Sequence, residues 1–220
     1  MIPPEENSDF IAAMEKVLDV YKRPYDPAFP VVCMDESPRQ LIKETRRILP
    51  AEPGCCERHD YEYERCGVCN IFMANEPLAG RRLVKVTERK TKKDWASFIS
   101  EIADAYKDAE KITLVMDNLK THKPGSLYEV FVPVKAKALW DRFEFVYTPK
   151  HGSWLNMAEI ELNVLARQCL NRRISKIEKI KSEVTAWLDH RNNLDAKINW
   201  QFTTGDARIK LKRLYPTLDG

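Results

Sequence analysis

Glycine is scarce, seven residues in 220, and that scarcity excludes a glycine-rich phosphate or dinucleotide loop as the centre of function. No GxSxG element occurs, and no Cys/His pair sits on matching elements, so a Ser or Cys nucleophile has no support. The four histidines, His59, His122, His151 and His190, are scattered without metal-ligand spacing. A secretory signal is also missing: Met1-Ile2-Pro3-Pro4-Glu5-Glu6 is polar and acidic where a basic and then apolar start is needed. The expectation is a cytosolic chain whose six cysteines stay reduced. Cys66-Gly67-Val68-Cys69 and Cys55-Cys56 offer four thiolates on paper. The first pair, however, is adjacent where a spaced pair is required, and the second flanks a predicted turn, so no zinc site is expected. There is no internal repeat and no low-complexity tract.

What is present is enough for one packed domain with short appendages, at 44% apolar and 31% charged residues. That balance rules out a disordered, collagen-like or membrane-spanning protein. The net charge of +3 hides an asymmetry. Residues 1–80 carry 9 Lys and Arg against 15 Asp and Glu, whereas residues 81–220 carry 27 against 18. A basic C-terminal part suits a polyanionic partner.

Asn7 or Ser8 can cap a helix with Phe10, Ile11, Met14, Val17, Leu18 and Tyr21 at helical spacing. Three prolines in residues 23–30 then predict a linker into a new unit. Val31 to Met34 reads as a buried strand that delivers Asp35-Glu36 at its end. Residues 61–74, with Gly67 central, predict a two-stranded hairpin, and Arg82 to Thr87 a further strand. A helix from Thr91 or Asp94 carries Trp95, Phe98, Ile99, Ile102 and Tyr106 on one face, before the strand Ile112 to Met116. A helical stretch broken at Pro133 covers Ser126 to Trp140, the strand Phe143 to Tyr147 follows, and Asn156 to Leu170 and Ser175 to His190 close the chain with helices. This order predicts an α/β fold with a mixed sheet.

Asp35 and Asp117 each follow an apolar strand, so both carboxylates are expected at the C-terminal edge of the sheet, where α/β proteins hold ligands. Two like charges held close raise one another's pKa unless a cation intervenes. Glu159 adds a third acid one turn into the next helix, with Asn156 on the same helical face. Oxygen ligands of this kind suit Mg²⁺ or Mn²⁺, and a pair of such ions can drive phosphodiester cleavage.

Three blocks carry a resemblance: Val31-Val32-Cys33-Met34-Asp35-Glu36, Met116-Asp117-Asn118 with Thr121-His122, and His151-Gly152-Ser153-Trp154-Leu155-Asn156-Met157-Ala158-Glu159. In residue type and order they resemble the DDE transposases of the bacterial insertion-sequence branch of the mariner superfamily. Phe72-Met73-Ala74, Glu76-Pro77-Leu78-Ala79-Gly80 and Ile198-Asn199-Trp200-Gln201-Phe202 extend the likeness over nearly the whole chain. The resemblance implies a ribonuclease-H-like fold with a mixed five-stranded sheet, laid out as an N-terminal helix and linker (1–30), a catalytic domain (31–190) and a basic tail (191–220). Asp35, Asp117 and Glu159 would bind two Mg²⁺ ions, with Mn²⁺ able to substitute. Glu36, Asn118, His122 and Asn156 would support those ligands, while His151 and Trp154 would touch DNA. Element ends and a TA target would be the substrates, and a homodimer on DNA, a bacterial nucleoid setting and an upstream helix-turn-helix polypeptide are implied as well. Asp117 and Glu159 stand 42 positions apart, wider than is usual in this family, and an inserted turn around Pro124 to Pro133 can absorb the excess.

Two basic clusters are candidates for phosphate contact: Arg81-Arg82 with Arg89, Lys90, Lys92 and Lys93, and Arg172-Arg173 with the lysines that follow. A nuclease of the same fold without strand transfer, and a non-catalytic DNA-binding remnant, are the alternative readings.

Overall fold

The structure is a computed structural model and describes residues 7–46, 52–56, 61–119 and 121–216. The acidic start at 1–6, His59 and the last four residues lie outside these. Strands β1 (Val31–Glu44), β2 (Tyr63–Glu76), β3 (Arg81–Thr87), β4 (Ile112–Met116) and β5 (Phe143–Tyr147) form one sheet ordered β3-β2-β1-β4-β5. β1, β2 and β3 pair antiparallel, while β4 is parallel to both β1 and β5. This is the mixed sheet of a ribonuclease-H-like fold.

Among the described residues seven α-helices flank it: α1 (Ser8–Tyr21), α2 (Lys92–Ala105), α3 (Pro124–Tyr128), α4 (Pro133–Arg142), α5 (Ala158–Gln168), α6 (Ile177–Asn193) and α7 (Thr204–Lys210). Side chains alternate across each strand and so feed two cores. On one face Val32, Met34, Phe72, Leu114 and Met116 meet Trp95, Phe98, Ile99 and Ile102 of α2 and Ala136 and Leu139 of α4. On the other, Cys33, Val115 and Val146 meet Phe10, Met14, Val17 and Leu18 of α1 together with Ala207 and Leu214 of the tail. Ile71 and Met73 continue that face against Leu165 of α5 and Ile180, Val184 and Trp187 of α6. α1 and the tail are therefore packed on the sheet. A backbone bond from Asn7 to the Leu214 carbonyl, 3.2 Å, also joins them.

Local chemistry sets the helix starts. The Asn7 side chain accepts from the Phe10 N–H at 2.8 Å, and Thr91 with Asp94, and Thr203 with Asp206, form capping boxes. Pro124 and Pro133 open α3 and α4, where a missing N–H costs nothing.

Two expectations are corrected. The hairpin predicted over 61–74 is one strand, β2, because Gly67 is a bulge at φ +115° opposite the register shift at Leu41/Ile42, not a turn. β1 likewise does not stop at Met34. It continues through polar residues to Glu44, paired only with β2, since its ladder with β4 covers Val31 to Cys33. Pro38 is tolerated because one edge of the strand is open there.

Candidate active site

The parallel register Val31↔Thr113, Val32↔Leu114, Cys33↔Val115, carried on two residues, sets Asp35 beside Asp117. Alternation turns the Asp35 side chain to the face of Cys33, where α1 and α5 lie, whereas Asp117 stands just past the end of β4, outside that alternation. Asp35 is thus inside a strand, and its neighbour β4 ends just before Asp117. The two aspartates arrive on adjacent rigid strands, one continuing and one stopping.

Glu159 comes from the first turn of α5 and is exposed. Buried Asn156 fixes that turn on the sheet. Its side-chain amide donates to the Met34 carbonyl at 2.8 Å, one residue before Asp35, and its oxygen accepts from the Ala158 N–H at 3.1 Å. The preceding loop closes tightly, and a Cβ on Gly152 would lie 2.5 Å from the Pro149 ring. Asn156→Ala is expected to cost roughly 1–3 kcal/mol, through the orphaned Met34 carbonyl and the lost cap, and to lower DNA cleavage by loosening Glu159. Thermal melts and single-turnover assays read the two effects separately.

The electrostatics agree with this convergence. Asp35 is pushed from its ordinary 3.8 up to about 7, first by burial and then by the charges of Asp117, Glu36 and Glu159, while the Glu36 N–H bonded to its Oδ1 at 2.8 Å opposes the rise. Those carboxylates are therefore close enough to repel one another, a donor set that suits hard divalent cations.

Glu36 points to the opposite face, as the next residue of a strand must. There His122, fully buried, sits with Nε2 3.1 Å from Glu36 Oε1 and Nδ1 2.5 Å from Asp117 Oδ1. Burial pulls the imidazole pKa down, but the Asp117 and Glu36 hydrogen bonds outweigh it and raise the value to about 9. Glu36, Asp117 and His122 also offer donor atoms close enough together to hold a metal ion. Lys90 pairs with Glu36 at 2.8 Å, which sets the basic start of α2 against the strand that carries Asp35.

The other expected residues divide. Asn118 is exposed beside Asp117, Trp154 is half-buried with its ring 5.9 Å from Phe202, and exposed His151 turns the loop at φ 66°. Arg89 and Lys93 are exposed, whereas Lys92 pairs with Glu129 at 2.6 Å. Arg172 pairs with Glu183, and Arg173 with Glu44 at the far end of β1. Arg82 is a correction: it is buried and ion-paired to Glu161 at 2.8 Å, so it cannot meet a phosphate. Only the Glu161 half of that pair leaves a local mark. Ala158, Glu161 and Leu165 make one inward stripe, and a carboxylate there requires a buried cation.

A family model described as DDE superfamily endonuclease matches residues 30–181. Among solved structures, the Mos1 mariner paired-end complex with Mn matches at TM-score 0.58 and 14% identity, over 89% of this chain and 60% of that one. The Mos1 strand transfer complex matches at 0.58 and 12%, over 96% and 62%. The catalytic domain of Mos1 mariner transposase matches at 0.54 and 12%, over 90% and 99%. The chain thus spans about three-fifths of the chains in the two complexes and nearly all of the isolated catalytic domain; at such identity the likeness establishes the fold. No curated protein sequence matches.

Proposed function

The chain belongs to the DDE superfamily endonucleases, and from that premise we propose that it is the catalytic domain of a transposase of the bacterial insertion-sequence branch. It cuts and joins DNA at element ends with Asp35, Asp117 and Glu159. The observation that carries this reading is a half-buried Asp35, on a strand beside the one that ends at Asp117, whose pKa is lifted to about 7 by burial first and then by the charges of Asp117, Glu36 and Glu159. Such a gathering is costly to the fold and is relieved by divalent cations.

The three acids would hold two Mg²⁺ or Mn²⁺ ions. When bound, such ions activate a water or a DNA 3′ hydroxyl and neutralise the departing oxygen of the phosphodiester. The chain's own part is positional. β1 and β4 present two carboxylates from adjacent strands, and Asn156 holds the α5 turn that presents the third. Lys90 ties the start of α2 to Glu36, and the exposed Arg89 and Lys93 on either side of it would bind phosphates of the substrate strand. Trp154 and His151, on the loop before α5, would meet DNA near the cut, and Arg172 and Arg173 would act farther out along β1. A TA target, a dimer holding two ends, and an upstream helix-turn-helix polypeptide that reads the inverted repeats complete the proposal. In support, two solved structures of similar fold are a Mos1 transposase paired-end complex and the Mos1 strand transfer complex.

The test is Mg²⁺- or Mn²⁺-dependent cleavage and joining of a DNA fragment bearing the element end, with and without a helix-turn-helix segment. Joined 3′ ends support the transposase, hydrolysis alone points to the nuclease, and no chemistry under either condition points to the remnant. Replacing Arg89 and Lys93 together by Ala is expected to flatten the slope of log affinity against log salt by about 2, near one unit per phosphate contact. An unchanged slope removes them from the interface.

A further inference from the structure

The acids of β1 diverge. Asp35 faces the proposed metal site, while Glu36, one residue on, faces the core under α2 and is buried there. Glu36 Oε1 takes both of its partners, His122 Nε2 at 3.1 Å and Lys90 Nζ at 2.8 Å, and its Oε2 is buried without a partner. The other ring nitrogen of His122, Nδ1, is hydrogen-bonded to the Asp117 main-chain carbonyl at 3.1 Å and lies 2.5 Å from Asp117 Oδ1 as an ion-pair contact. The imidazole cannot drift. Trp95 stacks on it with centroids 5.7 Å apart, and the His122 main chain is held at both ends, its carbonyl accepting from the Tyr147 hydroxyl at 2.9 Å and its N–H donating to the Leu119 carbonyl at 3.0 Å. A continuous line of charge-assisted contacts therefore runs from the exposed Lys90, through two buried groups, to the carboxylate that ends β4.

We propose that Lys90, Glu36 and His122 form a positioning chain that aims the Asp117 carboxylate, so that the basic start of α2 is mechanically linked to metal affinity. The inference rests on the reading of Asp117 as a metal ligand. Groups that orient a metal ligand through hydrogen bonds commonly set affinity by 10- to 100-fold. Lys90 is at the solvent end, half outside, and its share is smaller.

The test is Mn²⁺ binding by titration calorimetry on the whole chain without DNA, with thermal melts alongside, for Glu36→Gln, Lys90→Met, their combination and Asp117→Asn. Glu36→Gln is expected to weaken Mn²⁺ binding about tenfold or more, and Lys90→Met about threefold in the parent but not in the Glu36→Gln background, the signature of one connected unit. If Glu36→Gln does not fold, Lys90→Met, which alters a surface side chain, still decides. A fall in melting temperature with unchanged Mn²⁺ affinity would mean a purely structural role and overturn the chain. If Asp117→Asn loses Mn²⁺ while both other variants bind at parental affinity, the positioning chain alone fails. If Asp117→Asn binds Mn²⁺ normally, the metal-site reading fails, and the chain with it.

Discussion

Asp35→Asn is expected to abolish metal-dependent DNA cleavage and, in the same molecule, to raise the thermal stability of the metal-free protein. The loss follows from removing one of three charged ligands, at least about a thousandfold, or roughly 4 kcal/mol of transition-state stabilisation. The gain follows from burial first and then from the crowding of like charges. An isolated aspartate gives up its proton near 3.8, yet in the fold Asp35 holds it to about 7. Between those values the folded chain binds more protons than the unfolded one, so stability falls as pH rises from 3.8 to 7 and levels off above. Neutral Asn escapes that loss. At about 1.4 kcal/mol per unit, discounted for the side chain's partial exposure, the variant should gain on the order of 2–4 kcal/mol at pH 8 and little at pH 4. Mg²⁺ should stabilise the parent by mass action and leave the variant nearly unmoved. Melting curves from pH 4 to 8, with and without MgCl₂, together with a cleavage assay, check each sign. Parental cleavage, or a variant less stable than the parent across that range, would remove Asp35 from the site.

The opposed signs also explain which parts of this protein its sequence disclosed. Elements whose stability comes from their own residues were legible. α1 and α2 have apolar positions at helical spacing behind capping residues, and β4 is apolar at every position but Thr113 because it is buried on both faces. Asp35, Asp117 and Glu159 draw attention as candidates for a different reason, since each breaks the local pattern immediately after or inside an apolar element. What remained hidden depends on partners far along the chain. Nothing local states that Ser37 to Glu44 continues a strand, because those polar residues are held by β2 across the ladder. Gly67 looks the same in a turn and in a bulge until the partner strand is known. Arg82 reads as half of a surface pair with Arg81, and only the inward stripe of α5, 79 residues later, shows where it points.

That stripe leads to the largest expected effect on folding. Glu161 is fully buried and meets Arg82 through two hydrogen bonds of 2.8 Å, with Arg191 adding two more at 3.0 and 3.3 Å. Arg82 in turn donates to the Gly80 carbonyl at 2.6 Å, and its backbone exchanges bonds with the Asn192 side chain. One carboxylate thereby ties β3, α5 and α6 together, two residues from Glu159. Burial alone would raise the Glu161 pKa, but the two arginines hold it below the ordinary carboxylate value. Its contribution is therefore complete above 4.5 and is lost as pH falls through the lowered value. Glu161→Gln should strand Arg82 as an uncompensated buried cation and cost about 3–5 kcal/mol. For a chain of this size that lowers the melting temperature by roughly 6–20 °C, and cleavage should fall with it because α5 no longer holds Glu159 in place. The paired change Glu161→Leu with Arg82→Met removes both charges and should recover most of the stability, because an ion pair of this kind repays little beyond its own desolvation. A single variant as stable as the parent would show that Arg191 and the backbone carbonyls are enough for Arg82. A double variant no better than the single would place the energy in the geometry of the bonds and not in the balance of charge.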